Sequence, residues 1–341
     1  MANFQLIPGD KNEQYDPGVA RLLVPLGGVA KIQLFGGARH GKDSWPLTVG
    51  PNAQGLVIVR LIKTNLAAWT FDYSIEGVNI GNVMLEARDF GPTCPREDVQ
   101  IAQWFFMPTL AFTQLTVYPA YLQSAVPWGK TAYRSTNPRW HNVHWTNMAQ
   151  AGCGPTSLAI IMDYITSWDN AFQKDTQVCY EQNVTPTDTM KYSSQYGRVA
   201  DKNLQPQGTA GDTMMDNLGK TWPNYRSDKL GKGRAAVDKA LTYLVSGEIL
   251  IFLCQNGDTY KYEQKKGLVT QHWGGHYMVL VGADSKGSGP HQVFFIEDPS
   301  LAKTKFVSRA MLEKSAIIWR VYKQPTKATA IPNSSSAAVG R

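Results

Sequence analysis

Residues 149–168 read AQAGCGPTSLAIIMDYITSW. Leu158, Ile161, Met162 and Ile165 recur at three- and four-residue steps, the spacing of one apolar helix face. Pro155 suits the first helical turn, where its missing N–H costs no hydrogen bond. Cys153 stands at the start of this helix between Gly152 and Gly154, which are small enough to let backbone come close to a ligand. A thiol there feels the unpaired N–H groups and the positive end of the helix dipole, and both favour thiolate. The same N–H groups can stabilise an oxyanion forming on a carbonyl under attack. Taken singly, a cysteine at a helix start is more often structural than catalytic, so the reading turns on its partners.

Two later segments supply them. In WGGHYMVLVGAD, His276 opens an apolar strand after two glycines that clear space for a substrate or for the thiol of another segment. In QVFFIEDPS, Asp298 ends a second strand. Two antiparallel neighbours joined by the DSKGSGP loop would bring this carboxylate to the imidazole. Each residue has an ordinary reading alone, as a strand-edge histidine or a turn before Pro299. Together, a cysteine nucleophile, a histidine base and an orienting carboxylate are what acyl transfer through a thioester requires.

On GCGPTSLA, GGHYMVLVG and FFIEDP, the stretch from about Tyr133 to Ser315 resembles the C39-like branch of the papain-fold cysteine peptidases. The resemblance covers a little over half the chain. It implies Cys153 as nucleophile, His276 as general base and then acid, and Asp298 as the group that orients and polarises the ring. Relatives generally supply an oxyanion-hole Gln upstream of the cysteine, often six positions before it, and here that position is Asn147. Asn147 carries the same amide on a shorter arm, and Gln150 competes for the role. In YRSTNPRW, where some relatives carry a Gln, only Ser135 and Thr136 stand. Asn147 and Gln150 read equally well as capping residues.

Other chemistry has little support. Cys179 sits in a polar stretch without a basic neighbour, and Cys254 lies in an apolar strand, where a thiol behaves as a small hydrophobe. His141 and His144 lack a nearby acidic partner for zinc, and no phosphate-binding loop is present, so no metal or cofactor is expected. The four cysteines form no CxxC pair and are too few to staple a chain of 341 residues. The balance of 34 basic against 27 acidic side chains gives +7, but the basic residues are scattered and nucleic acid is not an expected partner. No apolar run is long enough for a membrane span, and MANFQLIPGDKNEQYD does not read as a secretory signal. The expectation is therefore a chain cytoplasmic at synthesis.

At about 100 to 200 residues per domain, the length favours two domains. From residue 18 to about 119, the short runs VARLLVPL, AKIQLF, GLVIVRLI, AWTFDYSI, NVMLEARD and AFTQLTVYP are separated by turn residues, as in a β-sandwich. The segment from Gly55 to Gly91 is similar in pattern to bacterial immunoglobulin-like modules. The predicted class is α+β: a sandwich over 1–120, a connecting segment over 121–145, a papain-like domain over 146–323 and a disordered tail over 324–341. Within the second domain, a polar, irregular insert spans 169–232, and a helix over GRAAVDKALTYLVSG precedes strands in GEILIFLCQ, HYMVLVGAD, QVFFIEDP and AIIWRVYK.

The function expected is a cysteine peptidase acting on a protein or peptide substrate. An inhibitor or immunity partner and signal-independent export belong to the reading of the chain as a bacterial toxin. An amidase, deamidase or transglutaminase-like acyltransferase would use the same acyl-enzyme, and a binding module without turnover is the rival from another class.

Overall fold

The structure, a computed structural model, describes residues 2–6, 14–16, 21–36, 47–49, 55–65, 67, 70–88, 109–173, 184–255, 259–264, 267–272, 275–283, 292–301 and 305–324. Cys94, Cys179, the DSKGSGP loop and the tail beyond residue 324 lie outside these. Helices and sheets are mixed and the N-terminal region is rich in strands, so the chain is α+β.

Two sheets make up the N-terminal region. One holds β1 (Ala2–Leu6), β4 (Val29–Gly36), β7 (Thr70–Gly77) and β6 (Val57–Asn65) in that order; the other holds β2 (Gln14–Asp16), β3 (Arg21–Pro25), β9 (Thr109–Tyr118), β8 (Gly81–Arg88) and β5 (Leu47–Val49). Neighbours are antiparallel except β3 and β9, which run parallel. Side chains alternate across a strand, and Phe71, Tyr73 and Ile75 of β7 all turn inward. They meet Ile32 and Leu34 of β4 and Leu22, Val24, Leu115 and Val117 of the opposing sheet in one apolar core. Each large side chain so buried contributes about 1.5–3 kcal/mol. The strands β1, β2 and β5 were not anticipated, because segments of three to five residues are too short to display a period.

The second region is built on a six-stranded antiparallel sheet, ordered β12 (Tyr225–Gly231), β19 (Ala316–Lys323), β13 (Leu250–Cys254), β16 (His276–Ala283), β17 (Val293–Glu297) and β18 (Lys305–Ser308). All four strands expected after residue 245 are here. β16 is buried at every position, because each face of the sheet is covered. On one face Ile251, Tyr277, Val279 and Trp319 pack with residues of α2 (Cys153–Gln173). On the other, Phe252, Met278, Leu280 and Ile318 pack with α6 (Arg234–Val245) and α7 (Arg309–Ser315).

The helix α2 is more deeply enclosed than its apolar stripe suggested. Residues 154–164 are buried on all sides, including Asp163, whose carboxylate accepts from the Tyr121 hydroxyl at 2.6 Å. A helix surrounded by protein has no solvent face to keep polar, so its pattern understates its burial. The polar insert contains more order than expected: α3 (Pro186–Tyr196), the hairpin β10 (Arg198–Ala200) with β11 (Pro206–Thr209), the short helices α4 (Gly211–Asp216) and α5 (Leu218–Thr221), and β12 at the sheet edge. A further hairpin, β14 (Thr259–Gln264) with β15 (Gly267–His272), stands outside the main sheet.

The two regions share packed surface. Along β3, Leu22 and Val24 point into the N-terminal core while Leu23 joins the core around α2. Leu23 reaches the backbone of Gly282 in β16, leaving no room there for a Cβ. Tyr118 and Ile80 lie in the same shared core, and Asn82 donates to the Tyr164 hydroxyl at 3.4 Å.

Candidate active site

Cys153 is the first residue of α2, following the short helix α1 (Met148–Ala151) and Gly152. The break between the helices sets the thiol at a fresh N-terminus, where the N–H groups of the first turn have no intrahelical partner. The flanking glycines both stand in close approach to other parts of the protein. A Cβ on Gly154 would lie 2.7 Å from Thr209 Oγ1, and one on Gly152 would collide with Met148. Cys153 itself is only partly buried.

His276 opens β16, and Gly275 before it has φ +94°, a conformation that side-chain-bearing residues rarely adopt. Asp298 follows the last residue of the adjacent antiparallel strand β17. The structure joins them: Nε2 of His276 lies 2.8 Å from Asp298 Oδ1, and His276 and Asp298 are 4% and 0% exposed. Ser300 completes the turn, donating to the same Oδ1 from its N–H at 2.8 Å and from its Oγ at 2.7 Å. With Nε2 committed to Asp298, Nδ1 is the ring nitrogen left for Cys153, with which His276 shares a side-chain hydrogen bond.

The electrostatics of the pair are mutual. Burial opposes a charged ring, but the Cys153 thiolate and the hydrogen bonds to Asp298 and Cys153 outweigh it and raise the imidazole pKa to about 9. Burial likewise pushes the thiol up. The positive ring, its hydrogen bond and a further one from the Tyr277 backbone overcome this and hold the thiol below its ordinary range, against an opposing contribution from Asp298. The two shifts reinforce each other, and both favour the thiolate–imidazolium form of the pair.

Asn147 and Gln150 lie just ahead of the nucleophile as a capping box. Asn147 accepts from the Gln150 N–H at 3.1 Å, and Gln150 accepts from the Asn147 N–H at 3.4 Å. Capping occupies only the carbonyl oxygens, so it leaves the NH2 groups that an oxyanion hole would need. His141 Nδ1 donates to the Pro138 carbonyl at 2.9 Å, and Cys254 is buried opposite His276 on β13. Among the described residues, no group of three or more His, Cys, Asp or Glu side chains is arranged to hold a metal, and no helix is long and apolar enough to cross a membrane.

Several residues packed behind Gly154 gave no signal in the sequence. Tyr133 is fully buried, and its hydroxyl bonds Thr209 Oγ1 at 2.9 Å. Arg198 lies over the Tyr133 ring at 4.5 Å. Only Ser300 was legible in retrospect, since an Asp two residues before a Ser is a turn signature.

A model of the Peptidase_C39 like family matches residues 137–327, more than half of the chain, and the chain belongs to that family. No curated protein matches it. Three solved chains do. Among them is one titled "Structure of the S-layer protein SbsC, domains 5-6", with 9% identity and a TM-score of 0.19 over 90% of this chain and 98% of that one. A score that low supports neither a shared fold nor a shared function.

Proposed function

We propose that this member of the family is a cysteine peptidase of papain-like layout. The observation that carries the reading is His276, held by Asp298 on one nitrogen and shared on the other with a thiol at a helix start. In the reaction, the Cys153 thiolate attacks the peptide carbonyl carbon and negative charge moves to the carbonyl oxygen. N–H groups of the first turn of α2, with an amide from Asn147 or Gln150, stabilise it. The imidazolium of His276 then protonates the leaving amine as the C–N bond breaks, giving a thioester. Neutral His276 takes a proton from water, hydroxide oxygen attacks the thioester, and the thiolate is regenerated with the carboxylic acid product. Asp298 keeps the ring in its working orientation throughout.

The N-terminal region, 1–120, is read as an immunoglobulin-like sandwich joined by 121–145 to a peptidase domain over 146–323. The two facing sheets with one apolar core support that division. The test is a mixture of denatured proteins and synthetic peptides digested by wild type and Cys153→Ala, with products read by mass spectrometry. New N-termini made by wild type alone are expected. Cleavage that survives in the variant overturns the reading, and a product gaining about 1 Da without chain cleavage identifies a deamidase instead.

A further inference from the structure

Arg198 begins β10, and only 2% of it is exposed. Its guanidinium is stacked between the rings of Tyr133 and Trp145, 4.5 and 4.8 Å from their centroids. Nε donates to the Tyr133 carbonyl at 3.2 Å, Nη2 to Thr146 Oγ1 at 3.0 Å, and Nη1 to the carbonyls of Gly208, at 3.4 Å, and Gln207. Every one of these acceptors is neutral. Among the described residues, no carboxylate forms an ion pair with it. A cation enclosed in this way is costly unless an opposite charge lies near.

The surroundings identify that charge. Tyr133, in contact with Arg198, stays protonated, because burial pushes its hydroxyl up to about 12. Tyr277, whose hydroxyl donates to the Thr209 carbonyl at 2.8 Å, is held protonated by burial as well. The carboxylate of Asp201 is occupied within the β10–β11 turn, accepting from the N–H groups of Asn203 at 2.8 Å and Gln205 at 2.9 Å and from the Gln207 amide at 3.3 Å. Asp212, whose charge acts on Tyr277, is paired with Lys229 at 2.6 Å. Cys153 remains: Gly154 beside it packs on Thr209, which faces Arg198 across the β10–β11 hairpin and bonds Tyr133, the ring under the guanidinium. Burial works against the cationic guanidinium, and Tyr133 and then the thiolate favour it. Counted as a unit, thiolate, imidazolium and the Asp298 carboxylate carry one net negative charge. Arg198 brings the enclosed set to neutrality.

We propose that Arg198 is a positioning residue that supplies the counter-charge to the Cys153 thiolate from behind the nucleophile, an inference that rests on the activated Cys–His reading above. Its fork also ties Thr146, the Tyr133 carbonyl and the β10–β11 hairpin together, so a purely structural role is the competing account. The pH dependence of labelling separates the two, because a packing defect lowers melting temperature without moving a titration.

The experiment is brief iodoacetamide labelling of Cys153 across pH 4–10, quantified by peptide mapping, in wild type, Arg198→Gln and Arg198→Lys, with melts recorded for each. Removing the charge is expected to move the labelling midpoint upward, so that Arg198→Gln labels about tenfold more slowly near pH 6 while matching wild type above pH 9. Arg198→Lys keeps the wild-type midpoint whatever its melting temperature. A wild-type midpoint in Arg198→Gln overturns the proposal. If Arg198→Gln does not fold, the lysine variant decides: a raised midpoint in a folded, still cationic protein assigns the effect to geometry and overturns it too. A wild type that labels Cys153 no faster than its other cysteines defeats the underlying Cys–His reading instead.

Discussion

The two regions bury different things. Between the N-terminal sheets the interior is aliphatic and aromatic, and Thr116 is the single buried polar side chain among the described residues before 119. The second region encloses Asp163, Arg198, His276, Glu297, Asp298 and Arg309. Buried charge is expensive, and here His276 and Asp298, both almost fully enclosed, accompany a partly exposed thiol. The first interior is consistent with support or attachment; the second sets ionisation states. Removing a large apolar residue from the first should lower stability alone, whereas removing a charge from the second should alter reactivity.

The sharpest test of that contrast is Asp298→Asn, which leaves the shape but not the charge that fixes the imidazole. Turnover of a confirmed substrate should fall by about 10³-fold with little change in melting temperature. Next, His276→Ala should slow alkylation of Cys153 near pH 6 by about 10²-fold, because an ordinary thiol is almost wholly protonated there. The wild-type rate profile should accordingly carry a basic limb near pH 9, where the imidazolium loses the proton that the leaving amine needs. In the N-terminal core, Phe71→Ala should cost about 3–5 kcal/mol in a denaturant melt and leave the labelling midpoint of Cys153 where it was. A shifted midpoint would break the comparison. Leu23→Ala, at the shared surface, should cost about 2–4 kcal/mol and separate one unfolding transition into two. Smallest of all, Ile62→Ser, on an exposed stretch of β6, should change stability by less than about 0.5 kcal/mol.

Much of the second region was legible because its elements are long and strongly apolar. The strands ending or beginning at Cys254, His276, Glu297 and Ala316 all lie where their runs suggested. β12 was not legible, since YRSDKLG has no apolar alternation. It is a strand because β19 offers it a backbone edge, a reason that sits elsewhere in the chain. The same holds for α7, seven residues between two strands, whose Leu312 is buried only because the sheet is there to receive it. Arg198, in YGRVAD, carries no pattern at all; its importance depends on three other segments closing over it.

By itself the sequence determined the types and order of the main elements, and it set a cysteine at a helix start, a histidine at a strand start and an aspartate just past a strand end. These are local properties, written in periodicity, turn chemistry and spacing. Only the tertiary structure decided which nitrogen of His276 faces Asp298, that Ser300 shares that carboxylate, that Gly154 is small for the sake of Thr209, and that Arg198 is buried against the rings of Tyr133 and Trp145. Ionisation is decided at this second level, because it depends on distance and on exclusion of water, and residues remote in the chain set both.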